Sequence, residues 1–361
     1  MSLVCEIIEK NLDIFAGKSL LVTGANLDLS IISKLLEKTS YLTIFTSDLT
    51  LFFKLKNFFN IKENPNENLD SIYEIEDKNL SICYAMDPKD QLKRKYDECL
   101  LSITKSKPEN IFLLNILKKY LVSDGFFITV GANDEGIKGI ESSLKLLGNT
   151  ATIDTARKCR LYKTLVKDFS DNQNPLFTYT LSDYGVNLSI SQYPGVFSAK
   201  GLDIGTKTLL DYLNPNLNNL IKNNQNILDV CSGSGVIGLY LKAKNNSLNL
   251  TFADIYANAL ESVKINSQNN NLDARVIPSD MLDSTDKYDL IIANPPFHAG
   301  VNVVLEATLK LFRTAKDHLK TNGQLIIVAN SFLPYTDYLK QYFETVNIVH
   351  STPKFKIYQA F

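Results

Sequence analysis

The 361-residue chain has little with which to hold a metal or a disulfide framework. Its five cysteines (Cys5, Cys83, Cys99, Cys159 and Cys231) are scattered, with no C-x-x-C pair. That excludes a zinc ribbon and a disulfide scaffold and fits a reducing compartment. The three histidines, His298, His318 and His350, make no metal-ligand spacing. No apolar run approaches the ~20 residues of a membrane span. The region after Met1, with Glu6, Glu9 and Lys10, lacks the basic-then-apolar pattern of a signal peptide. Charge of one sign is missing too: 38 basic residues face 39 acidic ones, and both sides of residue 170 are near neutral. A strongly basic nucleic-acid module is excluded, so any RNA contact must come from local patches. A cytoplasmic, metal-free protein is expected.

What the chain does have is alternation. Apolar runs of strand length alternate with helix-period segments, as in an α/β sheet with crossover helices. In the second half the strand candidates are Asn226–Val230, Leu248–Ala253, Ala274–Ile277, Leu290–Ala293 and Gln324–Ala329, with helices such as Ala257–Asn270 and Val303–His318 between them. The first half is a fainter copy, with strand candidates at Ser19–Val22, Tyr41–Phe45, Leu80–Tyr84 and Phe126–Val130. Residues 120–130 echo 318–328, each reading as a helix end, a glycine cap and a strand. Thr43–Asp48 loosely matches Thr251–Asp254. The expected architecture is two tandem Rossmann-like domains, 1–170 and 171–361, joined near the polar stretch Asp168–Pro175.

The glycine run Gly233-x-Gly235-x-x-Gly238 follows the strand end Leu228-Asp229-Val230 and opens a helix, where backbone can turn sharply and approach a ligand. Alone it is a weak dinucleotide fingerprint. Asp254, at the end of the next strand, suits both hydroxyls of a ribose. Asp229 can face a cationic amino acid head and would repel a pyrophosphate, which favours S-adenosylmethionine over NAD. Asp280, after the third strand, suits an adenine amine or equally a helix cap. Upstream, Tyr193–Thr206 carries Phe197, Ser198, Asp203 and Gly205. It reads either as a stretch folding over a cofactor or as a lead-in loop in which Asp203 or Thr206 caps a helix.

Asn294-Pro295-Pro296-Phe297, followed by His298, ends the apolar run Asp289–Ala293. An Asn carbonyl, a carbonyl fixed by diproline and a flat apolar ring suit the grip on a planar NH2 group. Asn-Pro is also an ordinary turn dipeptide. Aligning the copies by their apolar runs puts Ala85-Met86-Asp87-Pro88 opposite Ala293–Pro296 and leaves the first copy without the amide. In the first half, Arg157, Lys158 and Arg160, with Lys93–Lys95, are basic clusters that read as solvated faces or as phosphate contacts.

Together these residues resemble a class I S-adenosylmethionine-dependent methyltransferase of the N-P-P-F/Y type. More narrowly, Pro194–Gly205 with Asn294–Gly300 is similar to the bacterial ribosomal RNA small subunit methyltransferase C family. Ile327–Tyr335, Phe355–Tyr358, Gly136–Glu141 and Asp154–Tyr162 extend the resemblance over most of the chain. The resemblance implies two methyltransferase-like domains, the first degenerate and without cofactor. It further implies N2 methylation of a guanine in 16S rRNA, at nucleotide 1207 in the usual bacterial numbering, on the small subunit; separately, a monomer is expected, although no residue reveals the oligomeric state. The family typically has Gly and Cys where this chain has Cys231 and Ser232. The alternatives are another amine target, such as large-subunit rRNA guanine, a DNA adenine or a glutamine side chain, a non-catalytic assembly factor, or an NAD-dependent oxidoreductase.

Overall fold

A computed structural model describes residues 2–61, 72–75, 78–89, 92–167, 174–198, 201–295 and 301–361. The chain divides into two compact units, Met1–Pro175 and Leu176–Phe361. Among the described residues no helix is long and apolar enough to cross a membrane.

The first unit runs α1 (Leu3–Lys10), β1 (Ser19–Gly24), α2 (Leu29–Lys38), β2 (Tyr41–Thr46), α3 (Leu49–Phe58), β3 (Ile72–Ile75), β4 (Leu80–Tyr84) and β5 (Tyr96–Ser102). It continues through α4 (Lys107–Lys118), β6 (Leu121–Ala132), α5 (Ile137–Leu147), β7 (Gly148–Ala156) and β8 (Cys159–Val166). Its sheet order is β3-β4-β2-β1-β5-β6-β8-β7.

The second unit opens with a hairpin, β9 (Phe177–Leu181) and β10 (Leu188–Gln192). It then runs α6 (Ile204–Leu220), β11 (Asn226–Val230), α7 (Val236–Lys244), β12 (Asn249–Asp254), α8 (Ala257–Asn269), β13 (Arg275–Pro278) and β14 (Tyr288–Ala293). It ends with α9 (Val301–Ala315), β15 (Leu319–Asn330), α10 (Tyr335–Leu339), β16 (Val346–Ser351) and β17 (Phe355–Ala360). Its sheet order is β13-β12-β11-β14-β15-β17-β16. Apart from β3 at one edge, the two sheets have the same order, parallel except at their ends.

The parallel strands are apolar on both faces because helices cover both sides. Ile227, Leu290 and Ile292 join the core beneath α6 and α7, while Leu228, Val230, Ile291 and Ala293 join Leu311, Phe312 and Ala315 of α9 on the other face. The repeat extends to fine detail. The first residue of each central strand donates its N–H to an aspartate on the neighbouring strand: Ser19 to Asp97 at 2.8 Å, Asn226 to Asp289 at 2.7 Å.

Two sequence expectations are corrected here. The strand facing β14 in the repeat is β5, which pairs with β1 as β14 pairs with β11. Residues 85–88 follow β4, the counterpart of β13. By register, Ser102 therefore takes the place of Asn294, and Met86 that of Asp280. The apolar-run alignment failed because β5 carries Asp97 and the buried Glu98, whose charge is met by Lys163 at 2.7 Å. In addition, Gly125 and Gly323 lie inside strands rather than capping helices. The pairing shifts register beside each, between Tyr96 and Glu98 and between Tyr288 and Leu290. At Gly323 a Cβ would stand 2.9 Å from the carbonyl oxygens of Lys320 and Tyr288.

Candidate active site

The carboxyl ends of β11, β12, β13 and β14 converge, as ligand sites do in open α/β sheets. After β11 the chain turns through Cys231–Gly235. Gly235 ends the turn at φ +82° as the N-cap of α7. Gly233 N–H donates to the Asp254 carboxylate at 2.9 Å, and Tyr256 N–H to its other oxygen at 3.0 Å. Asp254 thus shapes the glycine turn from the next strand, and its burial raises its pKa.

Asp229 is 1% exposed. One carboxylate oxygen accepts from Gly238 N–H at 2.8 Å, and the other is buried with no partner. Burial, with the Asp254 charge adding to it against the Gly238 hydrogen bond, pushes its pKa up to about 8. A buried carboxyl oxygen without a partner is a place that a cationic group or another donor on a ligand can satisfy. Above the turn, a Cβ at Gly233 would meet only Val196, at 4.0 Å. The lead-in Tyr193–Ser198 therefore runs beside the turn, leaving room for a ligand. It is held there by α8: Tyr193 N–H donates to Ser262 at 3.0 Å, and the Asn258 amide to the Pro194 carbonyl at 3.0 Å. Phe197 in that stretch is half-exposed, and Ser198 donates to the Gly201 carbonyl.

Asn294 follows β14. Its amide nitrogen donates to Asp203 Oδ2 at 3.1 Å and to Thr206 Oγ1 at 2.9 Å. Its side-chain oxygen is buried and has no partner. Asp203 is also the N-cap of α6, accepting from Thr206 N–H at 3.0 Å. Of the two sequence readings of Asp203 the helix cap is seen, and the same carboxylate also receives Asn294. Pro295 is buried. Pro296, Phe297 and His298 lie outside the described residues.

Residues 187–359 match the family model "Methyltransferase small domain", and residues 67–178 match "Methyltransferase small domain N-terminal". Ribosomal RNA small subunit methyltransferase C of Haemophilus influenzae is 40% identical over 266 residues, covering 71% of this chain and 77% of that one. The protein of the same name from Vibrio vulnificus is 33% identical over 359 residues, covering 98% and 97%. The chain belongs to the ribosomal RNA small subunit methyltransferase C family. Among solved structures, the Thermus thermophilus 16S rRNA N2 methyltransferase for guanine 1207, in complex with AdoMet and guanosine, shares the fold. It aligns with TM-score 0.79 at 18% identity, over 99% of this chain and 91% of that one.

Cys231 sits at φ +57°, in the left-handed region that favours glycine. The equivalent residue of the first unit is Gly24, at φ +109°. A small side chain is tolerated here, and the Cys231 sulfur lies 3.6 Å from that of Met281. Burial, then the carboxylates of Asp254, Asp229 and Asp280, push the thiol pKa well up.

Asp280 is placed at the same strand ends, but its carboxylate is held by Lys310 of α9 at 2.8 Å, which also meets Asp283 at 2.6 Å. Sequence reading passed over Lys310, since one lysine on a helix carries no signal until the fold brings it to Asp280. It also passed over Thr206 as a partner of Asn294, although Asp203-x-x-Thr206 was visible as a cap. The basic residues named from the sequence belong to the first unit. Arg157 and Lys158 form the exposed turn between β7 and β8, with Arg157 paired to Glu6. Arg160 points into its own unit, donating to Tyr162 at 3.2 Å and lying 3.7 Å from Glu141. Among the described residues no cluster of three His, Cys, Asp or Glu could hold a metal ion.

Proposed function

We propose that the second unit transfers a methyl group from S-adenosylmethionine to the exocyclic N2 amine of a guanine in 16S rRNA of the small subunit. The target is guanine 1207, the nucleotide of the T. thermophilus relative. The protein works as a cytoplasmic monomer. The observation that carries the reading is Asn294: its amide donors are both used, and its buried oxygen is an acceptor still without a donor.

The residues that would hold the methyl donor are those around the glycine turn. Asp229 takes the cationic amino acid head, backbone at Gly233 and Gly235 lies against it, Asp254 takes the ribose hydroxyls, and Asp280 the adenine amine. Phe197, Ser198, Asp203 and Gly205 close the site from the lead-in. Bound there, S-adenosylmethionine supplies an electrophilic methyl on a sulfonium.

The chain's own task is to make a poor nucleophile attack. The guanine N2 lone pair is delocalised into the ring. Its two protons donate to Asn294 Oδ1 and the Pro295 carbonyl, which localises the lone pair and aims it; the methylated nitrogen is then cationic and acidic and releases one proton to water. Pro296 restrains Pro295, and Phe297 stacks on the base, a contact worth ~1–3 kcal/mol in single-strand binders. His298 and, in the first unit, the exposed Arg157 and Lys158 meet the surrounding RNA. Positioning carries most of the rate.

Two measurements test this. Mass spectrometry of 16S rRNA from cells with and without the gene should show one N2-methylguanine lost; an unchanged methylation map overturns the assignment. Asn294→Ala should cut methyl transfer by on the order of 10²–10³-fold while S-adenosylhomocysteine affinity stays within about twofold. Equal loss of both would remove the acceptor role.

A further inference from the structure

A primary carboxamide is ambiguous, because a half-turn exchanges its acceptor for its donors. At Asn294 the ambiguity is removed by the start of α6. Asp203 Oδ2 and Thr206 Oγ1 take both N–H groups, at 3.1 and 2.9 Å. Turned over, the amide would aim its oxygen at a carboxylate and leave the same buried position filled by donors. Asp203 cannot move aside to relieve this. Its carboxylate also accepts from Thr206 N–H at 3.0 Å, and its carbonyl from Lys207 N–H at 2.8 Å. The intervening Gly205 keeps the space clear, since a Cβ there would stand 2.9 Å from Asp203 Oδ2 and 3.3 Å from Asn294 Oδ1. Thr206 is buried, so water does not compete for Asn294.

We propose, resting on the guanine-amine reading, that Asp203 and Thr206 are positioning residues: they lock Asn294 as an acceptor and so select a base edge that bears NH2. Methyl-donor contact is not their main task. A base edge without an amine leaves the Asn294 oxygen buried and unpaired, and the locked amide cannot turn to suit a carbonyl. Sites built to hydrogen-bond a substrate NH reject analogues lacking it far more strongly than apolar pockets reject a methyl.

The test compares Thr206→Val, which keeps the shape and loses the acceptor, with Thr206→Ser, which keeps the acceptor. Asp203→Asn is the third variant, since its own amide can donate as well as accept. Methylation and binding are measured on small-subunit particles carrying guanine or inosine at the target. In Thr206→Val kcat should fall roughly tenfold, the equivalent of one hydrogen bond, with KM little changed, and Thr206→Ser should restore it to within about twofold. Asp203→Asn should lose on the order of 10²-fold. The wild type should bind the guanine particle more tightly than the inosine particle, and Thr206→Val and Asp203→Asn should narrow that ratio. An unchanged kcat, an unchanged guanine-to-inosine ratio, or a loss of S-adenosylhomocysteine affinity equal to the loss of kcat would each overturn the lock. If the wild type leaves the guanine particle unmethylated, the underlying reading falls and takes the lock's substrate with it.

Discussion

Asp229 is asked to be two things at one position. It is buried against the turn of α7, accepting from Gly238 N–H, and in the proposed function its free oxygen would meet the methyl donor's cationic head. Burial answers by raising its pKa from 3.8 to about 8. The sign of the consequence is fixed. Between 3.8 and about 8 the folded chain holds a proton that the unfolded chain has released, so stability is full below that interval and is lost as pH rises through it. Asp254, raised in the same direction, adds to the slope. Asp229→Asn keeps the acceptor for Gly238 and removes the proton. The ligand-free variant should therefore lose less Tm than the wild type between about pH 5 and about pH 8, and should melt higher at the upper end. Affinity of the wild type for S-adenosylhomocysteine should rise over the same interval, because an ammonium head favours the ionised carboxylate; in the variant it should be weaker and flatter. Thermal melts and calorimetry at both ends decide it, and parallel Tm curves would reject the account.

The elements divide into those their own residues announce and those only pairing explains. β11, β12, β14 and the core of β15 are apolar on both faces and stand out as runs; so do α8 and α9. β5 does not, because Asp97 and Glu98 interrupt it. Their charges are absorbed by partners far away in sequence, Ser19 for Asp97 and Lys163 for Glu98. The antiparallel strands β16 and β17, and the hairpin β9–β10, are half-polar, so nothing in composition separates them from loop. The candidate site was largely legible, since Asn294, Asp229, Asp254 and the glycines sit where strands meet helices. What was hidden was the link from Asn294 to Asp203 and Thr206, some 90 residues upstream. Helix α7 shows how one element serves both packing and site. A Cβ at Gly238 would stand 2.4 Å from the buried ring of Phe252. Gly238→Ala should cost about 1–3 kcal/mol, as overpacking does. It should also weaken S-adenosylhomocysteine binding, because displacing α7 moves the Gly233–Gly235 turn. Denaturant midpoints and calorimetry measure both, and a variant with wild-type values would show that Phe252 yields freely.

At the scale of the whole molecule, one sheet order occurs twice with different chemistry at its edge. Counting along the shared registers, Val22 stands for Asp229, Thr46 for Asp254, Met86 for Asp280 and Ser102 for Asn294. No carboxylate remains in the first unit to meet an amino acid head or a ribose at those positions. Calorimetry on the full chain should therefore find one S-adenosylhomocysteine per molecule, and two would show that the first unit binds by other residues. If the first unit contacts the RNA, its near-neutral charge limits the contact to exposed points. Arg157 and Lys158 qualify, standing on the turn between β7 and β8. The pairing of Arg157 with Glu6 is on the surface, where such pairs are worth ~0–1 kcal/mol and yield to a phosphate at small cost. Arg160 is different: its guanidinium is tied to Tyr162 and Glu141, with Nε buried. Removing charge at Arg157 and Lys158 together should lower affinity for the small subunit and reduce the slope of log affinity against log salt by about 1 to 2. Cofactor affinity and kcat at saturating subunit should not change, because both residues belong to the first unit and the proposed cofactor residues to the second. Arg160→Ala should instead lower Tm. A salt slope that stays at its wild-type value in the Arg157→Ala, Lys158→Ala double variant would take the RNA contact away from this turn and return the pair to an ordinary solvated surface.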